Sequence, residues 1–289
     1  MSRHAIWFLA ASCLLGAPAA AQTPAQPGHA RARLLAESTA AVPGKTLWLG
    51  MTFEIDPDWH LYWNGVSDTG SAIDLTPTLP QGYRLGPVQW PAPTRHITEH
   101  FLDHIYERRV TLLLPVEVPA DARVGSTAKF RVEAKWLVCK TICTFGEADL
   151  SIELPVAGTA EPASSAVTGL FAEARDRLPK PVKAADPEVK VEWKKDAVVL
   201  RAAKGVKGLA FYPTLECAAF SDLATEGESK HDTLELHLDK PGVNDRLVGV
   251  VELEPQQPGR HSVFLLEERR GGANPRGPDA SDKGKPGGG

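Results

Sequence analysis

The feature that most constrains the fold is the alternation of apolar and polar residues in several short runs of the chain. Thr46 to Ile55 (TLWLGMTFEI) alternate in this way, and residues 110–118, 127–138 and 148–156 show similar patterns. Successive side chains of a β-strand point to opposite faces, so this period of two predicts half-buried strands. Proline and glycine punctuate the gaps, with turns every eight to twelve residues or so, which favours an all-β sandwich.

A second β-rich region follows a linker. Small residues fill 158–166, and apolar residues then recur at helical spacing up to Leu178, directly before Pro179. This pattern predicts one amphipathic helix that bridges two domains. Six further strand candidates follow between residues 189 and 268, namely VKVEW, AVVLRAA, LAFYP, LELHL, LVGVVEL and HSVFLLEE. They predict a second, smaller β-sandwich-like domain.

The N-terminus has the pattern of a secretory signal peptide. Arg3 and His4 precede an apolar core at residues 5–15 that is too short to span a bilayer, and small residues at 19–21 suit cleavage. We therefore expect a protein exported to the periplasm, with Cys13 removed together with the signal. The expected division is as follows: 1–21 signal peptide, 22–31 disordered, 32–157 first sandwich, 158–188 linker with the helix, 189–268 second β domain, and 269–289 disordered tail.

The charges and the apolar runs exclude two classes of partner or location. The chain has 32 basic and 36 acidic residues, a formal net charge of −4, and no block of lysine or arginine. That argues against binding to nucleic acid. No apolar run after the signal approaches the length of a membrane span, so we expect no membrane anchor in the mature protein.

Three cysteines remain after removal of the signal, and two of them are close together. In an oxidising compartment Cys139 and Cys143 are expected to form a disulfide. From the spacing alone, a structural bridge that closes a hairpin and a bridge that exchanges with other thiols are both open. Lys135 and Lys140 could lower the pKa of a nearby thiolate. Cys217 lies among apolar residues in LECAAF and is expected to be a buried, free and inert thiol.

Three histidines are spaced by four residues, at His96, His100 and His104. On a helix their imidazoles would share one face and could hold copper or zinc. The alternative is a solvated polar loop, and we expect no tight metal site here. The sequence contains no flavin, nicotinamide or phosphate-binding motif, so no cofactor is expected.

Five short motifs in a fixed order resemble the N-terminal periplasmic domain of the disulfide reductase DsbD and its relative ScsB, a suppressor of copper sensitivity. The likeness spans roughly residues 32–156. The motifs are Trp59-His60-Leu61-Tyr62-Trp63-Asn64, Asp68-Thr69-Gly70, Trp90-Pro91-Ala92-Pro93, Trp136-Leu137-Val138-Cys139 with Cys143, and Glu147-Ala148-Asp149-Leu150. The region with Phe211-Tyr212-Pro213 and Leu247-Val248-Gly249-Val250 is similar to the segment that precedes the membrane region in ScsB-like members. We interpret the tryptophans as sandwich core rather than as a ligand surface.

The resemblance implies an immunoglobulin-like fold and a redox-active cysteine pair, with Cys139 and Cys143 in the positions of the catalytic cysteines. It implies that Cys143 bonds to partners, that the histidine segment is a mobile loop shielding the cysteines, and that the partners are thioredoxin-like periplasmic oxidoreductases. The chain differs in having Thr144-Phe145-Gly146-Glu147 after the second cysteine, where the family often has Ile-Pro-Glu. We expect the protein to lack the membrane-spanning and thioredoxin-like domains of the family, and therefore to depend on a separate DsbD-type membrane donor.

The function that follows is a thiol–disulfide exchange module, a component of a protein-disulfide reductase. The alternative is a non-catalytic periplasmic binding module that keeps the disulfide as a structural bridge, with a link to copper tolerance.

Overall fold

The computed structural model describes residues 28–183, 188–202, 206–255 and 262–271. The expected signal peptide lies outside these residues, as does most of the expected tail. Among the described residues, no helix is both long enough and apolar enough to cross a membrane.

Two antiparallel sheets form the first sandwich, which spans residues 30–155. One sheet has the strand order β1-β2-β8-β5, and the other has the order β10-β9-β3-β7-β6 with β4 paired to β9. The strands are β1 (Ala30–Ala36), β2 (Thr46–Ile55), β3 (His60–Tyr62), β4 (Asp74–Thr78), β5 (Arg84–Leu85), β6 (Thr94–Thr98), β7 (Phe101–Glu107), β8 (Arg109–Glu117), β9 (Thr127–Cys139) and β10 (Cys143–Pro155).

Alternation along β9 shows how the sequence builds this core. Its even-numbered residues from 128 to 138 are buried, whereas its odd-numbered residues up to 137 are exposed or half-buried. The buried set includes Phe130 and Trp136, and it packs against Phe53 and Met51 of the facing sheet in one apolar cluster. The odd-numbered face of β9 is therefore the outer face of the sandwich, and Cys139 belongs to it.

A second, smaller sandwich follows in residues 189–269, with a short strand from the linker at one edge. Its sheets have the orders β11-β18-β17-β14-β15 and β12-β13-β16. The elements are α1 (Ser165–Asp176), β11 (Lys180–Pro181), β12 (Val189–Trp193), β13 (Ala197–Ala202), β14 (Val206–Pro213), α2 (Leu223–Glu226), β15 (Glu228–Ser229), β16 (Thr233–His237), β17 (Arg246–Pro255) and β18 (Val263–Arg269).

The two faces of the larger sheet in the second sandwich pack in opposite directions. Phe211 and Val251 point into the second sandwich's own apolar core. Their neighbours Tyr212 and Val250, together with Val263, belong instead to the core cluster of the first sandwich. The two sandwiches are thus joined through buried side chains, which a flexible tether would not provide.

Helix α1 lies on the outer face of the first sheet and reaches the second sandwich at its C-terminal end. Phe171 packs with Leu113 in a separate small cluster, and the Arg177 guanidinium pairs with the Glu252 carboxylate of β17. The bridging helix is therefore present where the periodicity predicts it. One boundary differs from expectation, because Ala30 and Arg31, assigned to a disordered segment, are the first residues of β1 and pair with β2.

Candidate functional site: a disulfide at a hairpin tip

The disulfide closes the tip of the β9–β10 hairpin. Cys139 is the last residue of β9, Cys143 is the first residue of β10, and the two are paired in the ladder with their Cα atoms 4.1 Å apart. Residues 140–142 form the turn, in which the Lys140 amide donates to the Ile142 carbonyl at 3.1 Å. Cross-strand pairing thus puts the two sulfurs on the same side of the sheet, close enough to bond.

The two cysteines have opposite surroundings. Cys143 is exposed, whereas Cys139 is only 2% exposed and packs with Tyr62 and Ile105. Leu137 adds partial cover from the same strand. Because Cys139 lies on the outer face of the sandwich, its burial depends on these side chains rather than on the main core. A thiol that approaches from solvent meets Cys143 first.

A chain of polar side chains runs from the neighbourhood of Cys139 to β7. His60 is paired with Cys139 across β3 and β9, so their side chains share a face. The His60 Nε2 atom is 3.2 Å from the Tyr62 hydroxyl, which is 3.3 Å from Thr69 Oγ1. The Thr69 hydroxyl donates to Asp103 Oδ2 at 2.5 Å, and the Thr69 amide donates to Oδ1 at 2.9 Å.

Burial keeps the first two members of this chain uncharged. Burial lowers the pKa of His60, and the nearby His96 lowers it further. Burial also raises the pKa of Tyr62 above its ordinary value. At pH 7 a neutral imidazole can accept a proton, and a neutral phenol can donate a hydrogen bond, beside the buried sulfur.

The Asp68-Thr69-Gly70 motif has a clear structural reason. Asp68 Oδ2 accepts the Leu102 amide at 2.7 Å, which anchors the loop to β7. Gly70 lies directly against the Tyr62 ring, since a Cβ atom at this position would be 2.0 Å from Cζ of that ring. The motif therefore shapes the loop that encloses Tyr62.

The histidine segment is a β-hairpin, so the helix considered from the sequence is wrong. The hairpin covers Cys139 through Ile105, in keeping with the shielding segment that the family resemblance implied. Strands β6 and β7 are joined by a tight turn at residues 99–100, with Glu99 in the left-handed region at φ 58°. His96 of β6 faces the disulfide side, where its ring lies 5.0 Å from that of His60. His100 is exposed in the turn.

His104 lies on the opposite face of the same hairpin. It is fully buried, its Nδ1 atom is 2.5 Å from the Val66 carbonyl oxygen, and its ring contacts Trp63 and Tyr212 edge-on. Burial lowers its pKa to about 4. The three imidazoles therefore do not share a face, and the described part of the chain contains no group of three or more His, Cys, Asp or Glu residues placed to hold a metal.

Exposed apolar side chains lie on the same side of the sheet as the exposed cysteine. Phe145 is 88% exposed and lies two residues after Cys143 on the same strand face, and Ile142 in the turn is 68% exposed. At the tip of the β6–β7 hairpin, Phe101 is about half exposed and lies on the face that covers Cys139, whereas Ile97, also about half exposed, lies on the opposite face. Exposed aromatic and aliphatic groups around a reactive atom are typical of a protein-binding surface.

The structure also tests what the sequence suggested for Lys140 and Cys217. The Lys140 ammonium lies 2.9 Å from Asp58 Oδ2, so its charge is engaged by a carboxylate rather than directed at the sulfurs. Cys217 is a free thiol, as expected, and burial raises its pKa to about 11. Its sulfur accepts the Val248 amide at 3.3 Å.

The tryptophans of the sequence motifs are part of the core. Trp63 and Trp136 are each 3% exposed, and Trp59 and Trp90 are partly buried against the same apolar cluster. Trp136 also explains Gly146 opposite it, where a Cβ atom would lie 2.2 Å from the indole Nε1 atom.

An all-β sandwich with a disulfide at a hairpin tip, one cysteine exposed and the other shielded, defines a class of small β domains with an accessible cystine. The particular family follows from the sequence. The family model described as "Thiol:disulfide interchange protein DsbD, N-terminal" matches residues 31–155, so this part of the chain is a DsbD N-terminal domain.

A solved structure agrees at the level of the fold. The N-terminal periplasmic domain of ScsB from Proteus mirabilis superposes with a TM-score of 0.54 at 13% identity, covering 83% of this chain and 93% of that chain. A DUF4466 family protein from Parabacteroides merdae matches with a TM-score of 0.25 at 8% identity, covering 83% and 97%, which is too low to support any argument. None of the curated proteins matches the sequence.

Sequence reasoning found the cysteines but missed the roles of the residues around Cys139. Tyr62, Thr69 and Ile105 come from three separate segments, and Asp103 comes from between the histidines. The signal available was weak: Tyr62 and Thr69 stood in motifs, but their mutual contacts depend on how β3 and β7 pair.

Proposed function

We propose that the Cys139–Cys143 pair is a thiol–disulfide exchange centre that relays two electrons, in the periplasm, from a separate DsbD-type membrane donor to thioredoxin-like oxidoreductases. The observation that carries the proposal is the asymmetry of the pair, with Cys143 exposed and Cys139 2% exposed. A relay needs one sulfur that partners can reach and one that resolves the mixed disulfide out of their reach.

The exchange can be written with its atoms and electrons balanced. A donor thiolate attacks the Cys143 sulfur, the Cys139–Cys143 bond breaks, and Cys139 leaves as a thiolate that takes up a proton. The second donor thiolate then attacks the donor sulfur of the mixed disulfide, which leaves a donor disulfide and a reduced cysteine pair. In the forward step to the acceptor, the Cys143 thiolate attacks the acceptor disulfide, and Cys139 resolves the product by forming the intramolecular bond again.

The polar chain beside Cys139 suits the proton transfer in this scheme. Cys139 becomes a thiolate in a buried place, where charge is disfavoured. His60 is directly opposite on β3, with Tyr62 next to it, and both are uncharged. We assign His60 the role of accepting the Cys139 proton when Cys139 attacks the mixed disulfide, and of returning it when Cys139 leaves as a thiolate. Tyr62 holds the His60 ring through their hydrogen bond.

The apolar surface around Cys143 supports docking of a protein partner. Ile142 and Phe145 flank the exposed sulfur on one side, and Phe101 lies on the face of β7 that covers Cys139. An oxidoreductase with an apolar surface around its own cysteine could bury these side chains while the two sulfurs meet.

A purely structural bridge is supported less well. The β9–β10 ladder is paired without interruption over its full length, from Cys139–Cys143 to Thr127–Pro155. In the chain-entropy model a bridge that closes so small a ring contributes about 2 kcal/mol, against about 4.7 kcal/mol for a loop of about 100 residues. The hairpin has little need of a covalent closure.

The reduction potential distinguishes the two functions. Purified protein is equilibrated with glutathione or dithiothreitol buffers, and free thiols are counted after alkylation. We expect a potential between about −120 and about −270 mV, the range of thioredoxin-like active sites. A value below about −300 mV, typical of structural disulfides, would leave the binding module as the better description.

Single-cysteine variants test the assigned roles. With Cys139→Ser, the remaining Cys143 should trap thioredoxin-like partners as stable mixed disulfides, because no resolving thiol remains. The matched Cys143→Ser variant should trap almost none, since Cys139 is buried. Equal trapping by both variants would contradict the assignment of Cys143 as the attacking residue.

A further inference from the structure

We propose that the second sandwich holds the β6–β7 hairpin over Cys139 through Arg95, which makes Arg95 a positioning residue for exchange at the disulfide. The effect of Arg95 on thiol–disulfide exchange rests on the proposed function, whereas its effect on the burial of Cys139 does not. It assigns the second sandwich a role at a site to which it contributes no atom.

The hairpin has two faces with different partners. Asp103 and Ile105 of β7 point to the disulfide side, where Ile105 covers Cys139 and Asp103 binds Thr69. Arg95 and His104 are paired with each other and point the other way. Because residues alternate along a strand, one hairpin touches the disulfide and the second sandwich at once.

Arg95 is bound almost wholly by the second sandwich. Its side chain is 6% exposed, and its Nη2 atom donates to the carbonyl oxygens of Leu223 and Ala224 of α2 at 2.8 and 2.9 Å. Its Nε atom is 3.9 Å from Glu228. Within the described ranges, Nε and Nη1 have no hydrogen-bond partner, so the two carbonyls supply the hydrogen bonds of a buried cation.

The second sandwich is shaped to receive this side chain. Gly227 follows α2, and a Cβ atom there would lie 2.0 Å from Arg95 Nη1 and 2.6 Å from the Leu223 carbonyl oxygen that Arg95 binds. Tyr212 also packs on His104 of the same hairpin face. The Val66 carbonyl lies 2.5 Å from His104 Nδ1, and the Val66 amide in turn donates to the Pro213 carbonyl of the second sandwich at 3.0 Å. Arg95 can therefore be displaced from either side of the interface, by a change in the hairpin or by a change at Gly227.

A mobile hairpin would expose the resolving cysteine. Ile105 is part of the cover on Cys139, so local opening of β7 gives solvent access to that sulfur while Cys143, already exposed, is unaffected. The ratio of Cys139 to Cys143 alkylation in the reduced protein measures this opening. It requires no exchange partner, so it does not depend on the proposed function.

The test compares Arg95→Ala with Arg270→Ala in the reduced full-length protein. Arg270 is a matched control because its Nη2 atom also donates to two successive carbonyls, of Lys194 and Lys195, but it lies wholly within the second sandwich. Loss of hydrogen bonds from a charged group should shift the equilibrium between the closed and the open hairpin by on the order of tenfold. We expect the alkylation ratio to rise by about that factor in Arg95→Ala and to stay within about twofold in Arg270→Ala.

Two further variants keep the inference testable if Arg95→Ala folds poorly. Arg95→Lys should restore part of the protection, and Gly227→Ala should raise the ratio with Arg95 unchanged. The double variant Arg95→Ala with Gly227→Ala should raise the ratio by less than the two single changes combined, because both act on the contact between Arg95 and the Leu223 carbonyl. An unchanged ratio in Arg95→Ala and Gly227→Ala, or an equal rise in Arg270→Ala, would overturn the inference.

The potential of the wild-type protein separates the two proposals. If the reduction potential lies below about −300 mV and the alkylation ratio still rises in Arg95→Ala, the exchange function is refuted and the role of the Arg95 contact stands. If the reduction potential lies between about −120 and about −270 mV but Arg95→Ala leaves the alkylation ratio unchanged, the exchange function stands and the role of the second sandwich at the site is refuted.

Discussion

The two sandwiches place their sulfur atoms in opposite ways. In the first, the cysteines stand at the closed tip of a hairpin on the outer face of a sheet, and Cys143 is exposed. In the second, Cys217 lies against the apolar core and its pKa is raised to about 11. Both units are β-sandwiches, so the fold class does not decide reactivity. What decides it is whether the cysteine ends a strand at the surface or packs beside the core.

The largest effect is expected at the border between the two sandwiches, where a fall in pH should lower the free energy of unfolding. His104 is buried there with a pKa of about 4, against 6.5 for the unfolded chain. The unfolded state therefore binds more protons between these values, so this stability is complete above about pH 6.5 and is lost as the pH falls towards about 4. The loss from His104 alone should be about 3 kcal/mol.

Urea unfolding at about pH 7.5 and about pH 4.5 measures this loss. In His104→Asn, whose side-chain amide can still donate to the Val66 carbonyl, the pH dependence should be weaker by that amount. If wild type and variant lose stability in parallel, the two sandwiches do not depend on a neutral His104.

The next largest effect is expected in the reactivity of the Cys217 thiol, compared between the folded and the unfolded protein. Burial raises the pKa of Cys217 from 9.0 to about 11, which lowers its thiolate fraction at about pH 8 by about a hundredfold. Iodoacetamide should therefore label Cys217 in the folded protein on the order of a hundred times more slowly than in urea. Mass spectrometry of the labelled peptides gives both rates, and fast labelling of native Cys217 would remove the contrast.

A smaller effect is expected from the polar chain at the disulfide. Thr69→Val keeps the shape but removes the hydroxyl that joins Tyr62 to Asp103, and it should cost about 1–2 kcal/mol of unfolding free energy. Thr214→Val in the second sandwich removes one hydroxyl that donates to the Val248 carbonyl and serves as the control.

The two threonine variants should differ in a second measurement. We expect Thr69→Val to change the pH dependence of disulfide reduction as well as stability, and Thr214→Val to change stability alone. Identical pH profiles for both variants would show that the polar chain has no part in proton transfer to Cys139.

Local sequence determined the strands, the bridging helix and the cysteine pair. Alternation placed β2, β8, β9 and β10 because the period of two is a property of the extended backbone and needs no partner. The spacing of Cys139 and Cys143 predicted a bridge because both lie on one short turn. The histidines misled, because a spacing of four residues indicates a helix only if the backbone is helical, and this segment is a hairpin.

Tertiary structure alone decided which sulfur is shielded and by what. Along β9, Cys139 belongs to the polar outer face, and alternation predicts that it is exposed. It is buried because β3 and β7, distant in sequence, bring Tyr62 and Ile105 over it. Pairing between such strands depends on the closure of the whole sandwich and, through Arg95, on the second one. These contacts join residues that are far apart in sequence, so no short run of residues specifies them.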